Sequence, residues 1–500
     1  MKIINAEQTR QLDQYTIENE PIASIDLMER ASLRFSEWFS NKFSSQKTIK
    51  IFAGMGNNGG DGLAVARMLY QNRYKVEVYI IKYSDTGSID FHKNEKRLSK
   101  LPIKIIRLDE NSKHPELGEQ DIIIDAIFGS GLNRPIRGFT ACLIQHLNDS
   151  AALKVSIDIP SGLFCDNFNA DENIFRADHT LSFQFPKLSF MLPQNHVYVG
   201  EWAIKDIGLH KEKIEHLPTS FFFIDQDYIS SILKTRKKFD HKGTYGHALL
   251  VGGSYGKIGA VVLATKAALR SGAGLISARV PSFGYTILQS NVPEAMCITE
   301  QNEDENTHPP FDSFSSIGIG PGMGTDANAQ SLFISILQQI NFPIVVDADA
   351  INLIGKYPAL MDLVPKGSIL TPHPKEFERL TSGKYHNQYE RLEVQREFAK
   401  EYEVTVLVKG AHSSIALPSG EVYFNSTGNS GMATGGSGDV LTGIITGLLA
   451  QSYRPEYATI LGVYLHGLAG DFAAKEKSET AMIASDIINN LGEAYKTILS

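Results

Sequence analysis

The apolar positions along the chain fall into two successive series of short strand-like runs separated by helical repeats. Over 5–43, Leu12, Ile17, Leu27, Met28, Ala31, Phe35, Trp38 and Phe39 keep helical spacing. Lys50–Ala53 then begins a strand, the run GMGNNGGDG (Gly54–Gly62) follows, and Leu63, Ala66, Leu69 and Tyr70 mark the next helix. Further strands are predicted at Val76–Ile81, Ile103–Ile106, Ile122–Ile127 and Val155–Ile159, with helical or loop segments between most of them. Strands alternating with helices predict a parallel α/β sheet, whose ligands sit at the carboxyl ends of the strands. The loops Gly54–Asp61, Asp125–Arg137 and Asp158–Gly162 all fall at such ends.

The pattern is interrupted over 209–243, where HKEKIEH and KTRKKFDHKG surround a short apolar patch, Phe221–Ile224. This stretch reads as a solvated connector, with the boundary near 215–235. A second α/β series follows, with strands predicted at Ala248–Gly252, Gly274–Val280, Ala295–Thr299, Ile317–Ile319, Ile344–Asp347, Ile369–Thr371 and Val404–Val408, and a helix at Gly259–Ser271. Ser413–Leu417 and Glu421–Phe424 flank a Pro-Ser-Gly turn and read as a hairpin, and helices at about 438–451, 455–476 and 483–498 close the chain.

Composition narrows the class. At 500 residues the chain suggests two or three domains. A net charge of −8 gives no sign of a nucleic-acid or membrane surface. Cys142, Cys165 and Cys297 lie far apart without a CxxC pair, which fits a reducing cytosol and no zinc site. The N-terminus has no signal-peptide core, and no apolar run approaches the roughly 20 residues that span a bilayer. A cytoplasmic protein is expected.

The chemistry concentrates at loops. In Asn425–Ala450, small residues and glycines lead to Asp439, after which Val440, Leu441, Ile444, Ile445, Leu448 and Leu449 follow a buried helix face. A glycine turn opening a helix offers free amides and a positive dipole end to a phosphate. Asp439 repels phosphate there, unless it takes a proton from whatever attacks that phosphate; the alternative is a capping aspartate. GMGNNGGDG contains a literal GxGxxG (Gly54, Gly56, Gly59), but Asp61 opposes a pyrophosphate and Asn57 and Asn58 add amide side chains. The alternative there is left-handed asparagines with Asp61 as a helix cap. Asp125, Asp158 and Ser161 stand at two other strand ends, and their oxygens suit a hard cation.

GNNGGDG, DAIFGSG and DIPSG, in this order, resemble the NAD(P)H-hydrate epimerase family over about 1–215. The resemblance implies a Rossmann-like domain that binds a nicotinamide cofactor hydrated at C6. It implies cofactor contacts from Asn57, Asn58, Gly59, Gly60 and Asp61, from Gly129, Ser130, Gly131, Leu132, Asn133, Arg134 and Pro135, and from Asp158. It also implies a potassium ion held by Asn58, Asp125 and Ser161, with Asp158 the candidate acid or base. Ring opening and loss of water to an iminium are both open as routes.

No GxxxxGK[ST] occurs, so a P-loop is absent. GGSGD, LTPHP and VKG, with GGSYGKIGA and IGPGMG, resemble the ribokinase-like ADP/ATP-dependent NAD(P)H-hydrate dehydratase family over about 226–500. The resemblance implies that Ala260, Gly322, His373 and Asp439 contact the hydrated cofactor, with Asp439 the base. It assigns Lys409, Gly410, Ala411, His412, Ser413 and Gly438 to the nucleotide. Lys375 stands where the family shows glycine, and Asp347 and Asp349 are left unassigned. The fold class expected is therefore α/β, a Rossmann-like N-terminal domain (1–215) followed by a ribokinase-like C-terminal domain (226–500).

Together the two likenesses imply a metabolite repair enzyme. One half interconverts the R and S hydrates, and the other dehydrates the S form with ADP as phosphoryl donor and Mg²⁺ on the phosphates. The partners implied are the NAD(P)H hydrates and ADP, with no nucleic acid or membrane, in a homo-oligomer. The rival reading is a ribokinase-like small-molecule kinase joined to a non-catalytic ligand-binding or scaffold domain.

Overall fold

The computed structural model describes residues 1–170, 173–300 and 310–499. The chain divides into two compact units, Lys2–Thr219 and Ser220–Ser500 with Met1.

In the first unit, strands run in the spatial order Lys104–Leu108, Lys75–Ile81, Thr48–Ala53, Asp121–Ala126, Leu153–Ile157, His179–Phe183, Glu201–Lys205, all parallel. Ile49, Ile51, Phe52, Ile122, Ile123 and Ile124 are fully buried, the continuous apolar run expected of a strand covered on both faces. The last two strands escape the sequence reading because HTLSF and EWAIK are short and mix polar with apolar positions. The order reverses between Thr48–Ala53 and Asp121–Ala126, which opens a crevice at their carboxyl ends. Helix Asn57–Gln71 approaches the strand end so closely that a Cβ on Gly59 would lie 1.8 Å from the Gly54 carbonyl oxygen. The GxGxxG glycines at 54 and 59 therefore serve backbone packing.

In the second unit the order is Phe221–Phe223, Val422–Phe424, Ser414–Ala416, Thr405–Val408, Ile369–Leu370, Val345–Val346, Ser316–Ile319, His247–Val251, Leu275–Arg279, Met296–Ile298. Ser414–Ala416 runs antiparallel to both neighbours, forming the expected hairpin, and the other pairings are parallel. Here the order reverses between His247–Val251 and Ser316–Ile319. Helix Ser437–Ala450 is buried along most of its length. Its Gly443 lies against helix Ile258–Arg270, where a Cβ would stand 2.1 Å from the Ala264 carbonyl oxygen.

The supposed connector is only partly solvated. Phe221–Phe223 is a strand paired with Val422–Phe424, and Ile224 and Ile229 are fully buried in the core beneath it. The apolar patch outweighs its charged flanks because it completes a sheet edge. Among the described residues, no helix is long and apolar enough to cross a membrane.

Candidate active sites

The first site forms where the order of its sheet reverses. Helix Asn57–Gln71 starts directly at Asn57, with Gly56 as a cap that makes no side-chain bond. Neither asparagine has positive φ, and no acidic residue stands in the first turn. The reading of left-handed asparagines with Asp61 as a cap is thus overturned. Asn58 Nδ2 instead donates to the Phe128 carbonyl at 3.0 Å, tying the helix start to the loop after Asp121–Ala126.

A cavity of about 750 Å³ opens there, walled by Asn57, Asn58, Asp61, Gly129, Ser130, Gly131, Leu132, Asn133, Arg134 and Asp158. Gly59 and Gly60 are buried inside the helix, and Pro135 is exposed off this wall. Asp125 lies buried beneath. It accepts from Ser161 N (2.8 Å), Ser161 Oγ (2.5 Å), Ser156 Oγ (3.0 Å) and Ile127 N (3.2 Å). Ser161 Oγ in turn accepts from Phe128 N at 2.8 Å, so Asn58 and the Asp125–Ser161 pair are both tied to the backbone of Phe128. Burial pushes the Asp125 carboxyl up to about 6 against those hydrogen bonds. Among the described residues the groups bonded to it are all neutral donors, and a buried carboxylate so placed suits a hard cation bound by oxygens. Among the described residues no cluster of three or more His, Cys, Asp or Glu is built to hold a metal, so this set is one of mixed oxygens.

Asp158 sits at φ +65. Its Oδ1 accepts from Phe183 N at 3.2 Å and pairs with Lys187 Nζ at 2.9 Å, whose side chain is 3% exposed. Burial opposes the charge on Lys187, but the carboxylates around it, Asp158 first, hold its pKa above the ordinary value. Asp61 accepts from Ser32 Oγ at 3.3 Å, and burial, reinforced by Asp158, raises its pKa far above the carboxylate range. Lys187 and a third wall carboxylate, Asp13, escape sequence reasoning because nothing near them in the chain marks them.

The second site is built around Asp347, also unassigned from sequence. Asp347 is 1% exposed, pairs with Lys409 Nζ at 2.9 Å and accepts from Thr442 Oγ1 at 2.6 Å. A Cβ on Gly438 would lie 3.4 Å from the same Nζ, so the ammonium stands at the start of helix Ser437–Ala450. Gly436, at φ +92, sets that start; an added Cβ would meet Leu263 Cδ1 at 2.6 Å. Asp439 makes no capping bond, since the cap residue is Gly436, so the capping alternative fails. Burial pushes its carboxyl up to about 6, with Asp347 adding and Lys409 opposing.

Gly322 and Ala260 adjoin, a Cβ at 322 falling 3.1 Å from that of Ala260. Asp349 accepts from Gly324 N at 2.9 Å, with Lys257 Nζ 3.4 Å away. His373 caps helix Pro374–Leu380 through Nδ1, which accepts from Lys375 N (3.1 Å) and Glu376 N (3.3 Å), while Glu376 Oε2 accepts from His373 N (2.8 Å). Lys375 contributes its amide to that cap and leaves it closed. The accepting Nδ1 puts the imidazole proton on Nε2; burial, then Lys409, lowers the His373 pKa and keeps the ring neutral. Ser413 Oγ closes the turn after Lys409 by accepting from Gly410 N (3.1 Å), and His412 Nδ1 lies 3.0 Å from the Asn425 carbonyl. Gly410 and Ala411 are exposed.

A family model described as NAD(P)H-hydrate dehydratase matches residues 248–492, and one described as YjeF-related protein N-terminus matches 24–189. A bifunctional NAD(P)H-hydrate repair enzyme of Moorella thermoacetica is 36% identical, covering 100% of this chain and 99% of its own length. One of Coxiella burnetii is 32% identical, with 97% of both chains covered. An ADP/ATP-dependent NAD(P)H-hydrate dehydratase of Bacillus subtilis, crystallised with ATP and Mg²⁺, is 31% identical with TM-score 0.50, covering 55% of this chain and 98% of its own. A ribokinase-like superfamily protein of Enterococcus faecalis gives TM-score 0.51 at 29% identity, covering 56% of this chain and 98% of its own.

Proposed function

The chain belongs to the bifunctional NAD(P)H-hydrate repair enzymes, and from that premise we propose which residues carry each activity. The enzyme epimerises the R and S hydrates of NADH and NADPH and dehydrates the S form at the expense of a nucleotide.

For dehydration, hydroxide is a poor leaving group, and phosphorylation of the C6 hydroxyl makes it a good one. Asp439 is the base that accepts the hydroxyl proton as the phosphoryl group arrives. The observation that carries this is its free carboxylate, beside a lysine and a helix N-terminus yet bonded to neither as a cap. Lys409, steadied by Asp347 and Thr442, faces the transferring charge together with the amides of the helix start. The donor is ADP, which Lys409 to Ser413 and Gly438 would hold, and Mg²⁺ on its phosphates would neutralise their charge while needing few protein ligands. Ala260, Gly322 and the Nε2–H of His373 contact the hydrated cofactor. Elimination then restores the dihydronicotinamide.

For epimerisation, the cavity of the first unit takes the hydrated ring. Asp158, oriented by Lys187, is its acid or base. Asn58, Asp125 and Ser161 would hold potassium, which would supply a counter-charge to the buried Asp125 carboxylate. We place the activity in the cytoplasm, in a homo-oligomer of units 1–215 and 226–500.

The test is to incubate the pure protein with mixed R and S hydrates and ADP. Return of reduced-nicotinamide absorbance from both epimers is expected. A phosphorylated product that accumulates without that absorbance would make the second unit a kinase only, and repair of S alone would leave the first unit without activity.

A further inference from the structure

Asp13 belongs to helix Ala6–Asn19, whose Leu12 and Thr16 pack inward. Its own carboxylate is half-buried and lines the wall of the first cavity. Among the described residues it receives neither a hydrogen bond nor an ion pair, whereas its two companions are engaged, Asp61 by Ser32 and Asp158 by Lys187. Besides Asp61, Asp158 and Lys187, the charged side chains on the wall are Arg10 from its own helix and Arg134 from the loop after Asp121–Ala126. The cavity thus presents one carboxylate held by an ammonium and one carboxyl left free.

Changing the configuration at C6 makes a demand that such a pair meets. The leaving oxygen must gain a proton on one face of the ring, and the entering oxygen must lose one on the other. One group cannot stand on both faces. We propose that Asp13 is the second proton-transfer residue of the epimerase cavity, acting opposite Asp158; this rests on the epimerase reading of that cavity. Protonated Asp13 gives its proton to the C6 hydroxyl, the C6–O bond breaks with its electron pair, and water leaves an iminium. A water then adds to the other face of C6 and gives its proton to Asp158. In the reverse direction Asp158 gives and Asp13 takes, so one proton is shared and nothing is oxidised or reduced.

The charges around Asp13 fit this use. Burial, then the Asp158 carboxylate, push its pKa up to about 7, with Lys187 opposing. Both protonation states are then populated near neutrality, as a two-way proton donor and acceptor needs. Burial, then Asp158, raise the Asp61 carboxyl well above the carboxylate range, and it is already engaged as the acceptor of the Ser32 hydroxyl, which sets it apart from the free Asp13.

The test uses the full chain carrying Asp13→Asn, with R–S interconversion followed by separating the epimers. Dehydration of pure S hydrate by the same protein reports folding and the other activity. The expected result is interconversion lower by about 10²–10⁴-fold with S dehydration kept. Parental interconversion should decline as pH rises past about 7, where the shared proton is lost, and the residual rate of the variant should lack that limb. Asp61→Asn should keep the limb, and Asp13→Glu should restore part of the rate together with it. An Asp13→Asn rate within a few-fold of the parent overturns the proposal, as does a slow variant that keeps the limb, or a Glu variant no better than Asn. A parent that does not interconvert the epimers at all refutes the epimerase reading itself.

Discussion

Asp125 in the first unit and Asp439 in the second are both carboxylates pushed up to about 6, and in both burial is the first cause. Their surroundings differ completely. Asp125 is saturated by Ser161, Ser156 and the Ile127 amide, and among the described residues no cationic side chain shifts its pKa. Among the described residues the Asp439 carboxylate receives no hydrogen bond, and it lies near a lysine that pairs with Asp347. On the roles proposed above, the same titration shift would mark two jobs: a bonded carboxylate would anchor a counter-ion, and an unbonded one would move a proton. The perturbed pKa alone finds both residues and distinguishes neither; the bonding does.

The comparison breaks first at Asp439. Asp439→Asn keeps the shape and removes the base, so kcat for dehydration should fall about 10²–10⁴-fold. Nucleotide affinity should hold or improve slightly as repulsion is relieved, and epimerisation should be unchanged. The parental dehydration rate should itself drop as pH falls through about 6, because protonated Asp439 accepts nothing. A variant that dehydrates within a few-fold of the parent would remove Asp439 from the chemistry.

A smaller effect is expected at Asp125. Asp125→Ala should slow epimerisation by about 10–100-fold, the range for losing a metal-site partner, and abolish stimulation by potassium. Dehydration should persist. An unchanged response to potassium in a folded Asp125→Ala protein would leave the first unit without the ion assigned to it.

This difference between the two sites was only partly legible in the sequence. Strand–helix alternation predicted both parallel sheets, and the glycine turn before Val440 predicted the buried helix Ser437–Ala450. The motif residues Asn58, Asp125 and Ser161 do converge, because strand ends in a parallel sheet share one edge. Asp13, Lys187 and Asp347 were not legible. Lys187 and Asp347 owe their places to partners distant in sequence, Lys187 to Asp158 and Asp347 to Lys409 and Thr442, and Asp13 reaches its cavity only through the packing of helix Ala6–Asn19. Phe221–Phe223 was hidden by its charged flanks, since only its pairing with Val422–Phe424 reveals a strand.

Stability sharpens the comparison further. Asp125→Asn places an amide donor against the donors of Ser161 and Ser156, so a bonded network is broken. The first unit should lose about 1–3 kcal/mol, read as an earlier denaturant midpoint for that unit. An unchanged midpoint would mean the shell around Asp125 rearranges freely.

The smallest expected effect has the opposite sign, at Asp439. Its folded pKa, about 6, lies above the ordinary 3.8, so the native state binds the proton more tightly than the unfolded chain. Stability from this group is then fully present below about 3.8 and is lost as pH rises through about 6. At neutral pH the parent carries the whole penalty, and Asp439→Asn, which never ionises, carries none. The full shift would correspond to about 3 kcal/mol, and partial exposure reduces the expected gain to about 1–2 kcal/mol. The variant's second unit should thus unfold later than the parent's at pH 7.5, with the gap narrowing as pH falls from about 6 toward 3.8. A gap that stays constant across that window would mean ionisation of Asp439 is not its source. A variant less stable than the parent at pH 7.5 would mean the carboxylate is bonded after all, and the contrast with Asp125 would disappear.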